Sequence, residues 1–413
     1  MKFYFRRIFQ GDLVIWIVFF LLCMISLVEV FSAASSLSYK TGDFLAPLFK
    51  QAAFLAAGTA VVWFFHALPC RYFKIIPVFF LPICVILLIL TLFFGVRTNE
   101  GARWLYILGI RFQPAELAKG VVIITTALIL ACWQREEGAD RRAMKWILVS
   151  SGVVCLLIFS ENLSTAVILF GTVFLMMFLG RVPLIQLGKI VAFFVALILG
   201  AVLLVETLPK ETLNDVPGLH RIDTWVARLT DHTSDVENDT VFLAEHPQEA
   251  HANIAIASSN FIGKGPGNSE QRDHLAQAYS DFIYAIIAEE LGLWGAIIVV
   301  FLYMVLLVRA GRIASRCERN FPAFLIMGLA LLLVNQALIN MLVAVGLVPV
   351  TGQPLPLISR GGTSTLINCV YFGMMISVSR YAKKKPKKSA SAPADAPKPD
   401  AVEQTFQSNE GLV

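Results

Sequence analysis

Long apolar runs, interrupted at short intervals by basic clusters and once by an extended polar stretch, organise this chain. Runs able to cross roughly 30 Å of hydrocarbon fall at about 13–33, 49–68, 74–95, 115–133, 146–160, 163–181, 184–205, 282–308, 322–347 and 362–380. This pattern predicts an all-α polytopic membrane protein of about ten transmembrane helices. A large extracytoplasmic loop, residues 206–281, separates helices 7 and 8 within a membrane domain spanning 1–381. Residues 382–413, rich in Ala, Pro, Ser, Lys and Asp without periodicity, read as a disordered cytoplasmic tail. The first run follows Arg6 and Arg7 as a secretory signal would, but its core from Leu13 to Val30 is too long, so it reads as an uncleaved helix. Inside the loop, Ile222, Val226 and Leu229 oppose Asp223, Arg228 and Asp231, the pattern of a short interfacial helix. A second short helix is expected between Ala250 and Ile262.

Composition agrees with this reading. Hydrophobic residues make up 57% and charged residues 15% of the chain, and mean hydropathy is +0.70, values unlike those of a soluble domain. Nothing points to a nucleic-acid partner. The basic residues Arg6, Arg7, Arg71, Lys74, Arg135, Arg141, Arg142, Arg181, Lys189, Arg309, Arg312, Arg316 and Arg319 fall in alternate loops, and the run Lys383–Lys388 lies in the tail. By the positive-inside rule those loops and both termini are cytoplasmic. One outer segment breaks the rule with Arg97, Arg103, Arg111 and Lys119, as expected if an anion binds there. The seven cysteines form no disulfide framework or CxxC pair, and the six histidines lack HExxH spacing. No cofactor is encoded, although a divalent cation, Mg2+ or Mn2+, held with a substrate pyrophosphate fits such a site.

Four polar segments exceed what a membrane protein needs. In the first, Gln113 and Pro114 start a helix, and Glu116 precedes Lys119 by three residues, so the two can pair on one face; snorkelling cations beside a Trp104 and Tyr106 belt are the plainer account. The second runs from Ser160 to Ala166. The third, Asn335, Gln336 and Asn340, also suits ordinary interhelical hydrogen bonding. The fourth, Gly346 to Ser364, carries so many Pro and Gly that its backbone is non-helical and must line a protected or wet cavity. Between these lies the run Gly263–Ser269, followed by Tyr279, Ser280 and Asp281 at the entry to an apolar helix. A carboxylate there is either a helix-terminal acid interacting with the backbone dipole or a functional group. Glu289 and Glu290 lie two turns further on, one of them expected to pair within the bundle.

These motifs resemble the SEDS family (shape, elongation, division and sporulation). The resemblance rests on Phe112, Gln113, Pro114, Glu116 and Lys119; on Gly263 to Ser269; on Tyr279 to Gly292; and on Gly346 to Gly362. It covers all ten spans. The opening Gly11 to Trp16 is more similar to the division branch than to the elongation branch. Departures from the family pattern are Glu161 and Asn162 in place of Pro-Asp, Tyr279 in place of His, and Arg360 in place of Tyr.

The resemblance implies a peptidoglycan glycosyltransferase that polymerises lipid II into β-1,4 glycan at the outer face of the inner membrane during cell division. Its partners are then lipid II, the nascent glycan, membrane lipid, a class B penicillin-binding protein and other division proteins. Asp281 becomes the candidate catalytic base for the acceptor hydroxyl, in one inverting displacement from the undecaprenyl-diphosphate-linked donor. Arg103, Arg111, Gln113, Glu116, Lys119, Lys264, Asn268 and Ser359 become candidate substrate-binding residues. A lipid II flippase using the same cavity for translocation, and a catalytically silent scaffold, stay open at this point.

Overall fold

The computed structural model describes residues 10–41, 46–98, 101–107, 110–136, 138–207, 247–275 and 279–382. The expected interfacial helix around 222–231 and the tail 383–413 lie outside them. Ten long helices stand at the ten apolar runs. These are α1 (Leu13–Thr41), α2 (Ala46–Ala67), α3 (Ile76–Phe94), α4 (Pro114–Cys132), α5 (Arg141–Phe159), α6 (Leu163–Leu179), α7 (Leu184–Thr207), α9 (Ile283–Ala314), α10 (Asn320–Ala344) and α11 (Thr363–Tyr381). The short helix α8 (Pro247–Ala257) occupies the place expected for the second loop helix. Among the described residues, seven helices are long and apolar enough to cross a membrane on their own account, while α6 and α7 supply shorter apolar stretches. Helix α11 is less apolar because Ser364, Thr365, Asn368 and Ser377 sit buried among its neighbours.

The apolar runs are not equivalent once folded. In α4 72% of the spanning window is buried and in α10 61%, against 22% in α2, so α4 and α10 form the centre. Side chains such as Phe93, Phe193 and Ile198 stay exposed on outer helices, as expected for lipid-facing surface.

The sequence pattern did not anticipate a small antiparallel sheet, β1 (Val96–Thr98), β2 (Gly101–Ile107) and β3 (Ile110–Phe112), ordered β1-β2-β3. Two of its strands have only three residues, and β2, Gly-Ala-Arg-Trp-Leu-Tyr-Ile, has no alternation of apolar and polar positions. Phe112 pairs with Leu105, and one residue later Gln113 is the extended N-cap that starts α4 with Pro114 in its first turn.

Asp12 locks the opposite end of the bundle. Its carboxylate caps α1 by accepting from Val14 N at 3.0 Å and meets Arg309, near the end of α9, through Nε at 2.9 Å and Nη2 at 2.6 Å. Its own N–H donates to Ser379 of α11 at 2.8 Å. One residue thus ties three helix ends together.

Helix α9 is broken at Gly292 (φ 72, ψ −174). The carbonyls freed there are satisfied by the glycine run: Lys264 N donates to Glu289 O at 3.0 Å and Gly265 N to Glu290 O at 2.9 Å, while Leu293 N donates to Asn260 O at 3.1 Å. Contact this close requires a bare backbone on both sides. Gly263 has φ 78, and a Cβ there would collide with the Glu290 carbonyl and the Gly292 nitrogen. Gly263→Ala should therefore lower the stability of the detergent-solubilised protein by at least about 1–2 kcal/mol, from left-handed backbone strain alone, with the steric clash added. A thermal-unfolding midpoint equal to that of the unsubstituted protein would contradict this docking.

Candidate functional site

At the end of the bundle bearing the sheet, a continuous polar thread runs from α4 to the start of α9. Lys119 is 0% exposed and Glu116 2%, with Lys119 Nζ 2.7 Å from Glu116 Oε1. The same ammonium donates to Gln336 Oε1 of α10 at 2.8 Å. Gln336 Nε2 in turn donates to Pro354 O at 3.0 Å, in the Pro- and Gly-rich segment between α10 and α11. One turn along α10, Asn340 Nδ2 donates to Gln353 O at 2.7 Å and to Asp281 O at 2.8 Å. Gln353 Nε2 reaches Thr165 Oγ1 at 2.7 Å, and Thr165 N donates to Asn162 Oδ1, the cap of α6, at 3.3 Å. The four polar segments of the sequence therefore meet at one place.

Asp281 is half-buried, immediately before the α9 N-cap Phe282. Ser280 Oγ donates to its Oδ1 at 2.9 Å. The backbone beside it is clamped from the other side, since Ser359 Oγ donates to Ser280 O at 2.6 Å and Arg360 N donates to Tyr279 O at 3.0 Å. The Arg360 guanidinium lies over the Tyr279 ring at 5.4 Å. The carboxylate thus stands on a clamped backbone at a helix start, where the backbone dipole favours negative charge.

The candidate cations divide. Arg111 is exposed at the rim with its guanidinium 4.8 Å from the Trp104 ring centre, and its carbonyl accepts from Thr363 Oγ1 at 3.3 Å, which ties the sheet to α11. Arg103 belongs to β2 of the same sheet. Lys119 lies inside the bundle. Gln113 is half-buried at the α4 start, with no side-chain capping bond. Glu116 Oε2, Asn340 Oδ1 and Gln353 Oε1 are buried without a hydrogen-bond partner among the described residues, which leaves acceptors along the thread.

Lys264 and Asn268 are engaged elsewhere. Lys264 Nζ is 2.8 Å from Glu289 Oε1 and 3.2 Å from Glu270 Oε2; the hydrogen bond to Glu289 holds its pKa above the ordinary lysine value. Asn268 Nδ2 donates to Lys264 O at 3.0 Å, closing the turn. Glu290 accepts from Gly267 N at 3.1 Å and from Ser32 Oγ. Both acids of the Glu289–Glu290 pair, not one, are thus engaged by the glycine run. Sequence reasoning missed Arg272, whose Nη1 donates to Ser32 O at 3.1 Å and Gly267 O at 3.2 Å; a lone Arg in a polar loop carries no motif. It also missed Gln353 as a hub, whose one signal was a polar residue between prolines.

Comparison with known proteins places these residues in context. A family model described as a cell cycle protein, covering FtsW, RodA and SpoVE, matches residues 12–384. The chain is 32% identical over 345 residues to "Probable peptidoglycan glycosyltransferase FtsW" of Nitrosococcus halophilus, spanning 80% of this chain and 82% of that protein. It is 31% identical over 364 residues to the protein of the same name from Halomonas elongata, spanning 84% and 85%. Among solved structures it resembles a chain from work on structural coordination of polymerization and crosslinking by a peptidoglycan synthase complex, with TM-score 0.71, 22% identity and coverage of 91% and 99%. It also resembles the rod shape determining protein RodA of Thermus thermophilus, with TM-score 0.62, 22% identity and coverage of 91% and 98%.

A buried pair behaves differently from a ligand-binding cation when its members are removed. Lys119→Met alone strands Glu116 and should cost about 3–5 kcal/mol of stability, whereas Lys119→Met with Glu116→Gln should be near neutral. Full turnover in the double variant would limit Lys119 to a structural role; a folded double variant that no longer turns over would place the ammonium in the chemistry.

Proposed function

The chain belongs to the FtsW/RodA/SpoVE family of cell cycle proteins, and from this membership and the site we propose that it is a peptidoglycan glycosyltransferase of the division branch. The observation that carries the mechanism is Asp281, a half-buried carboxylate on a backbone held at three successive carbonyls, by Asn340 at Asp281 O, the Ser359 hydroxyl at Ser280 O and Arg360 N at Tyr279 O. It polymerises lipid II. The donor carries an undecaprenyl diphosphate, which requires cations at the rim and lipid-facing apolar surface beside them. Arg111 and Arg103, on the sheet, meet the diphosphate as it departs with developing charge.

Asp281 takes the proton from the acceptor sugar's 4-hydroxyl as that oxygen attacks the anomeric carbon. A single displacement inverts an α-linked donor to a β-1,4 glycan, needs one base, and forms no enzyme-linked intermediate. The family departure at Arg360 adds a cation beside Tyr279, one residue from Ser280, which favours an anionic substrate at this mouth. Lys119 acts from beneath, by holding Gln336 and so the segment that positions Ser359. Among the described residues no three His, Cys, Asp or Glu converge to hold a metal; a Mg2+ or Mn2+ ion would be held by diphosphate oxygens, with Asp281 the protein oxygen suited to complete its shell, and would neutralise leaving-group charge.

We assign the Asp281 end to the outer face of the bacterial inner membrane, with both termini cytoplasmic, since the basic loops all fall at the other end. A class B penicillin-binding protein is the partner that would cross-link the product.

Asp281→Asn separates catalysis from capping. The amide keeps the volume and can still accept from Ser280, but cannot take a proton, so polymerisation of labelled lipid II should fall by roughly 10²–10⁴-fold with unchanged thermal stability. Near-normal glycan synthesis by the folded variant would overturn the assignment. Protease accessibility of the loop 206–281 in spheroplasts but not in inverted vesicles checks the orientation.

A further inference from the structure

The end of the bundle away from Asp281 contains a second concave site. A cavity of about 300 Å3 opens among the Cys70–Lys74 turn between α2 and α3, the loop joining α9 to α10, and the end of α11. Three cations line it, Arg71, Lys74 and Arg319, with one acid, Glu318. Its walls are apolar, with Phe321 buried at 3% exposure, and Lys74 Nζ lies 5.5 Å from the Phe321 ring centre. Arg71 is steered by its neighbour, donating to Tyr72 Oη at 3.0 Å with its guanidinium over that ring at 4.9 Å. Tyr72 is 45% exposed and Tyr381, on the cavity wall, 54%. Exposed tyrosines at helix ends mark headgroup depth.

Basic loops alone would satisfy a topological rule with scattered, solvated cations. Here cations from two separate loops converge on one pocket whose floor is apolar and whose rim lies at headgroup depth. That combination matches an amphiphile with a phosphate head and a hydrocarbon stem, and basic pockets between transmembrane helices take such headgroups. We propose that this cavity is a binding site for the phosphate headgroup of an anionic phospholipid, distinct from the polymerisation site. Arg71, Lys74 and Arg319 hold the phosphate, and the Phe321 wall receives the glycerol and the first methylenes. A soluble phosphate would gain nothing from that wall, which favours the lipid.

Native mass spectrometry of the full-length protein, titrated in detergent with phosphatidylglycerol or phosphatidylcholine, tests this. Phosphatidylglycerol should be retained preferentially. The combined variant Arg71→Ala, Lys74→Ala, Arg319→Ala should bind it roughly 100-fold more weakly, and the charge-retaining variant Arg71→Lys, Arg319→Lys should bind within a few-fold of the parent. Equal retention of the two lipids overturns the proposal, as does undiminished binding by a folded triple-alanine variant. If that variant unfolds, protection of Cys70 and Cys317, which also line the cavity, from a thiol reagent by phosphatidylglycerol in the parent protein decides: protection supports the site and its absence overturns it. Protection by inorganic phosphate equal to that by the lipid also overturns it in favour of a soluble anion.

Discussion

The site depends on one buried ammonium. Lys119 has no access to water and lies between Glu116 and Gln336. A charge in that position is tolerable only while its carboxylate and amide partners stay in place, so α4 and α10 are held in a fixed register at the bundle centre. Gln336 and Asn340, one helical turn apart, then present their amides to the same irregular segment. Side-chain amides hold that segment at Gln353 and Pro354, and through Ser359 it holds the Ser280 carbonyl beside Asp281. The position of the carboxylate is therefore a consequence of packing several residues away.

A second constraint has the same logic. Breaking α9 at Gly292 frees the carbonyls of the buried Glu289 and Glu290, and an unpaired buried carbonyl is expensive. The run Gly263–Gly267 supplies N–H groups in return, while Glu289 and Glu290 accept from Lys264, Gly267 N and Ser269 N. The glycine run is thus a plug for a broken helix before it is anything else. It anchors the returning end of the long loop about two turns from Asp281 along α9.

The apolar runs made the ten helices readable, because each is longer than a soluble core requires and each is bounded by charge. The Pro114 start, the non-helical segment after α10 and the engagement of an acid at the Glu289–Glu290 pair were also readable, since proline, glycine and buried carboxylates have few structural outlets. The sheet at 96–112 was not, because two of its strands have three residues and the third, Gly101–Ile107, carries no apolar and polar alternation. Nor did spacing separate Lys119 from Arg111: both are cations in one outer segment, yet helical phase turns Lys119 inward while Arg111 stays exposed on a strand.

That separation bears on how the site handles charge. A cation facing solvent at the rim can meet a diphosphate directly, but its field is weakened by water and salt. A cation inside the bundle acts through geometry, by holding amides that hold backbone. Arg111 and Lys119 are eight positions apart and stand in these two different settings, one exposed and one with no access to water. The line of contacts runs from Lys119 through Gln336 to Pro354, and from Ser359 in the same segment to the Ser280 carbonyl beside Asp281.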